Sequence, residues 1–144
     1  MKRRGFTFIE IIIVLAIIAI GFGVSIIKFS IVDKIGARNE IQTFADDYSY
    51  LRTLSLSSGK SGSISFDIDG YNISGVKNKT RNLKYIEPLN KTIIKFDETG
   101  YVSSEKSKDA YNLVFVSKKD PNVKWYFTIE AVGGYLSEKN QGGL

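Results

Sequence analysis

The chain has 144 residues, 43% hydrophobic and 24% charged, which suits one ordinary folded domain rather than a disordered tail. It holds neither cysteine nor histidine, which removes disulfide pairing, thiolate metal sites, the commonest zinc ligands and the commonest general base. Lys2, Arg3 and Arg4 carry three of the net +5 charges and leave +2 on the remainder, so a globally basic surface for nucleic acid does not follow from the pI near 9.3.

The first element after the basic leader, residues 1–5, is an apolar run from Phe6 to Ile27. Its length of about 22 residues, or roughly 33 Å at 1.5 Å per residue, matches a hydrocarbon core of roughly 30 Å. The run predicts a single membrane crossing, and the leader charges place the N-terminus in the cytoplasm with the rest of the chain outside. Glu10 interrupts it, although a charge within the bilayer costs roughly 2.5–3.5 kcal/mol. A secretory signal would find a passable cleavage site in Ala19-Ile20-Gly21, but Glu10 lies inside its apolar core and the run continues past the cut through Val24, Ile26 and Ile27. A plain single-pass anchor accounts for length and flanks but leaves Glu10 without a partner.

Lys2-Arg3-Arg4-Gly5, followed by Phe6-Thr7-Phe8-Ile9-Glu10 and the long aliphatic run, resembles the class III signal of type IV pilins and pseudopilins. The resemblance implies a membrane prepilin peptidase that cuts after Gly5 and methylates the new amino terminus at Phe6. It implies other pilin or pseudopilin subunits as partners, with Glu10 meeting the N-terminal amine of a neighbour as helices stack into a filament on an assembly platform in the cytoplasmic membrane. A buried carboxylate needs a cation, and Phe6 and Glu10 lie about 6 Å apart along one helical face, so pairing within a single chain is also open. A Glu that merely snorkels to the headgroup layer is the bland alternative. Two family features are missing here: the helix-kinking proline that many major pilins have about where Ile27 stands, and a paired-cysteine loop. The tip subunit in this family often lacks the glutamate, so Glu10 implies a subunit stacked beneath another.

Residues 28–59 read as an amphipathic continuation of the helix, with Ala37, Ile41, Phe44, Ala45, Tyr48 and Leu51 recurring at three and four. Gly36 is an internal weak point costing roughly 1 kcal/mol relative to Ala. Gly59 is the expected C-terminal cap. From residue 60 to 144 the period becomes two, and Ile64, Phe66 and Ile68 lead through an Asp69-Gly70 turn to Tyr71, Ile73 and Val76. Further strands are predicted at Thr92–Phe96, Tyr111–Ser117, Val123–Glu130 and Tyr135-Leu136, separated by turns at Glu98–Gly100, Lys118–Asn122 and Gly133-Gly134. The fold class is α+β: a long N-terminal helix, membrane-spanning in its first half and amphipathic in its second, packed on an antiparallel β-sheet head. This head resembles the GspH/FimT type of minor subunit through its Ile94–Gly100 segment and the Trp125–Glu130 strand running into Gly133-Gly134-Tyr135.

Other clusters have bland readings. Asp67-Ile68-Asp69-Gly70 looks like the start of a calcium loop, but the later acidic ligand falls at Asn78, so no metal is expected. Lys77, Lys79, Arg81 and Lys84 form a basic loop beside Tyr85, a candidate nucleic-acid contact or simply a solvated loop. No nucleophile–base pair can be nominated, so neither enzymatic activity nor a cofactor is expected. The sequence therefore predicts a structural, minor prepilin-like subunit of a type IV pilus, a type II secretion-like pseudopilus or a DNA-uptake (competence) pilus. The alternatives are a DNA- or surface-binding minor pilin acting through its head, and a plain membrane-anchored extracytoplasmic domain.

Overall fold

The computed structural model describes residues 7–103, 111–130 and 133–139, with the backbone alone at 22–30, 103 and 111. The leader charges Lys2, Arg3 and Arg4 and the cleavage pair Gly5 and Phe6 lie outside the described residues. The chain divides into two units, Met1–Ile35 and Gly36–Leu144, and one helix, α1 (Phe8–Ser58), contributes to both.

In the first unit every described apolar side chain from Phe8 to Ile20 is exposed in the single chain. A helix apolar on all sides requires lipid or protein around it. Among the described residues no helix is long and apolar enough to cross a membrane. The predicted span of 6–27 has described side chains only from Thr7 to Gly21, so its two ends lie outside that description.

The second unit places the amphipathic part of α1 against two antiparallel sheets, where the sequence had suggested a single one. Among the described residues nine strands supply them: β1 (Gly62–Asp67), β2 (Gly70–Ser74), β3 (Lys79–Asn82), β4 (Ile86–Pro88), β5 (Ile93–Phe96), β6 (Val102–Ser103), β7 (Tyr111–Ser117), β8 (Lys124–Ile129) and β9 (Leu136–Lys139). The first sheet runs β3-β2-β1-β5-β6 and the second β4-β7-β8-β9. The predicted stripe largely faces the core: Ala37, Ile41, Phe44, Tyr48 and Leu51 are buried, whereas Ala45 is only half-buried. Alternate residues of both sheets meet it, including Ile64 and Phe66 of β1, Tyr71 and Ile73 of β2, Phe115 of β7, and Phe127 and Ile129 of β8. Phe44 sits where the two sheets converge, its ring centroid 5.7 Å from Phe66, 5.5 Å from Tyr71, 4.9 Å from Phe115 and 5.7 Å from Phe127. These edge-to-face and tilted contacts suit the aromatic quadrupole better than a face-to-face sandwich would.

Local punctuation follows the sequence in part. Gly59 adopts φ 60° and its N–H donates to the Ser55 carbonyl at 3.0 Å, ending α1 as a left-handed cap. Gly70 has a different role from the one its sequence neighbourhood suggests. Asp67 pairs with Gly70, so Ile68 and Asp69 form the turn and Gly70 opens β2, where a Cβ would collide with the Arg81 carbonyl of β3. The predicted basic loop at 77–84 is corrected as well: Lys79–Asn82 form β3, an edge strand paired with β2. The short strands β4 and β6 are additional, and the last strand begins at Leu136 and extends to Lys139.

Candidate functional site

The start of α1 gives Glu10 a partner that the membrane reading did not supply. Thr7 stands at the N-cap position and Glu10 three residues on. The Thr7 backbone N–H donates to Glu10 Oε2 at 3.0 Å and the Thr7 hydroxyl donates to the same oxygen at 3.1 Å. The Glu10 N–H in turn donates to the Thr7 carbonyl at 3.0 Å. This is the Thr-x-x-Glu arrangement in which an acidic side chain satisfies an otherwise orphaned amide at a helix N-terminus. Both side-chain bonds fall on Oε2. An ionised carboxylate offers further acceptor sites, so Oε1 remains able to take a cation.

A second polar centre lies inside the head. Asp47 is 7% exposed and sits one residue before the core residue Tyr48. It accepts hydrogen bonds from the Tyr71 hydroxyl at 2.9 Å, Lys79 Nζ at 2.9 Å and Arg81 Nε at 2.8 Å. Burial alone would raise the Asp47 pKa, but the bonds from Arg81, Lys79 and Tyr71 outweigh it and hold the carboxyl below its ordinary value. Burial, reinforced by the bond to Asp47, pushes the Tyr71 phenol above its usual range and keeps it protonated as a donor. Two of the four candidate nucleic-acid cations are therefore engaged by one carboxylate on α1. Lys77 and Lys84 lie over tyrosine rings instead, 6.0 Å from the Tyr50 centroid and 5.2 Å from that of Tyr85.

Glu40, about two turns earlier on α1, completes the attachment. Its two oxygens accept the backbone N–H groups of Lys84, Tyr85 and Ile86 at 2.7, 2.9 and 3.1 Å, which fixes the connection from β3 to β4 against the helix. Tyr85 then lies over Gly36, whose missing Cβ would sit 2.5 Å from the ring. The helix weak point seen in the sequence is thus a seat for an aromatic ring. Neither Asp47 nor Glu40 stood out as a site residue. The only signal for Asp47 was an acidic residue embedded in the apolar stripe.

The depressed pKa of Asp47 has a sign that can be worked out. It contributes stability above its unfolded value of about 3.9 and loses it as pH falls through the lower folded value. Asp47→Asn should cost about 1.5–3 kcal/mol at neutral pH, the range for hydrogen bonds to charged groups, and should flatten the acid limb of the stability curve below about pH 4. Urea titrations of the full chain in detergent, followed by the single Trp125, would show both effects. An unchanged acid limb would mean that other carboxylates dominate acid unfolding.

Residues 1–26 match the prokaryotic N-terminal methylation motif. The fold is similar to that of the minor pseudopilin EpsH from the type 2 secretion system of Vibrio cholerae, with a TM-score of 0.54 at 15% identity over 72% of this chain and 95% of that one. No curated protein matches the sequence. The chain thus joins a prokaryotic N-terminal methylation motif to a helix and antiparallel sheets with the fold of a minor pseudopilin.

Proposed function

We propose that the chain is a structural, minor-pilin-like subunit, cut after Gly5 by a prepilin peptidase, methylated at Phe6 and built into a filament through α1. Its head is displayed outside the cytoplasmic membrane, from which the subunit is extracted on assembly. The observation that carries this reading is the carboxylate of Glu10 at the head of a helix that is apolar on all sides, held by Thr7 with one oxygen to spare. Cleavage creates an amine one residue ahead of Thr7, and an amine in that apolar layer is the cation such a carboxylate needs. The family-level motif match covers both Phe6 and Glu10.

Engagement of Lys79 and Arg81 by Asp47 favours the structural reading over DNA binding through the head, since paired cations contribute little to phosphate attraction. Intact-mass measurement of the mature chain tests the proposal. Loss of residues 1–5 with one added methyl group is the expected result, and an intact leader in cells that contain an active prepilin peptidase overturns it.

A further inference from the structure

The end of the head where α1 stops carries a groove of about 610 Å³, within the roughly 300–1,000 Å³ of small-molecule sites. Ser63 of β1 stands between Ser74 of β2 and Lys95 of β5, and all three line the groove. They alternate with the buried Ile64, Ile73 and Ile94, so the groove opens on the outer face of the first sheet. Gly62 and Gly75 line it without side chains, and the strands approach so closely there that a Cβ on Gly75 would lie 2.5 Å from the Ser61 carbonyl. Gly62 packs against Leu51 and Ser55, which places the groove at the opposite end of this unit from Gly36, where the chain enters it.

One wall is the turn Asp97-Glu98-Thr99 that follows β5, and it is firmly held. Asp97 Oδ1 accepts the Thr99 N–H at 2.9 Å, the Thr99 hydroxyl at 2.6 Å and the Tyr101 N–H at 3.0 Å, while the Gly100 N–H donates to the Asp97 carbonyl at 3.1 Å. The three side-chain bonds fall on one oxygen, and an ionised carboxylate has acceptor sites on both. Past the turn, Tyr101 is 48% exposed, and its alternation with the buried Val102 puts it on the same outer face as Lys95.

This lining selects a class of ligand. Hydroxyls, two carboxylates and an ammonium would all be stripped of water without partners under an apolar molecule. Asp97 and Glu98 repel a polyanion, and Lys95 opposes a polycation. A neutral molecule dense in hydroxyl groups satisfies the whole set: its O–H groups donate to the carboxylates, accept from Lys95 and do both with the serines. We infer that the groove binds a neutral saccharide, with Asp97 and Glu98 accepting sugar hydroxyls and the Tyr101 ring lying against a sugar face at the rim. This binding role goes beyond the proposed structural one and does not depend on it, because the groove is built wholly within the head.

Saturation-transfer NMR on the full chain in a sugar-free detergent tests the site with tri-N-acetylchitotriose, cellotriose and maltotriose as probes. Saturable binding of at least one of them below about 10 mM is expected. A preference for the N-acetylated trimer identifies glycan of the cell-wall type as the source, and a preference for a plain glucose trimer identifies other surface glycans; either supports the inference. Ser63→Phe fills the groove from an outward-facing position and should abolish binding. Tyr101→Ala should weaken it roughly two- to tenfold through loss of the ring contact. Both variants should unfold at the parent's urea midpoint, which separates loss of the site from loss of the fold. No saturable binding of any probe overturns the inference, as does binding undiminished in both variants, and either result leaves the proposed function standing.

Discussion

Replacing Phe44 with alanine is expected to cost about 3–5 kcal/mol, a large share of the roughly 5–15 kcal/mol that holds an ordinary domain together. Phe44 is fully buried and touches aromatic rings from β1, β2, β7 and β8, so its loss opens one cavity shared by the helix and both sheets. Partial collapse cannot fill it without moving two sheets toward each other, and that places the cost toward the upper end of the range for Phe→Ala. Phe44→Leu keeps most of the volume and should lose markedly less. Leu89→Ala removes a side chain that is already 58% exposed and should fall within about 0.5 kcal/mol of the parent. Urea unfolding of the full chain in detergent measures all three through Trp125, which packs on the same core. A loss below about 1 kcal/mol for Phe44→Ala would mean that the two sheets do not close on the helix as described.

The parts of the fold that were legible in the sequence are those held by burial. Ala37, Ile41, Phe44, Tyr48 and Leu51 recur with the helical period because one face of α1 is covered, and β1, β2, β5, β7 and β8 alternate because one face of each sheet is covered. The missed elements are held otherwise. β3 contains no apolar residue at all. It is an edge strand fixed to α1 by Lys79 and Arg81 on Asp47, so its sequence, Lys-Thr-Arg-Asn, reads as a solvated loop. β4 ends in Pro88, which argues against a central strand but is tolerated here because β4 is the edge of its sheet. The division into two sheets depends on pairings between strands distant in sequence, such as β1 with β5 and β4 with β7, and local pattern carries no information about those. At the N-terminus Thr7-x-x-Glu10 was a readable capping signature, obscured because a carboxylate in an apolar run raises the question of membrane cost first.

Glu10→Ala is expected to leave cleavage after Gly5 intact and to remove the subunit from filaments. Two contributions of Glu10 are lost together in that variant, and they have different sizes. The cap on Thr7 is worth about 1 kcal/mol and affects only the first turn of α1. The charge opposes membrane insertion by roughly 2.5–3.5 kcal/mol when unpaired, so its removal should, if anything, favour residence in the bilayer. A defect in assembly alone would therefore point to a partner gained on leaving the membrane, which in the proposed function is the amine created at Phe6. Glu10→Gln separates the two contributions, because the amide oxygen can still accept from Thr7 while the charge is gone. The ion-pair reading requires Glu10→Gln to fail as Glu10→Ala does, measured as the fraction of mature subunit recovered with sheared filaments. Recovery of Glu10→Gln at parental levels would show that Glu10 serves α1 as a cap, and that the charge has no part in assembly.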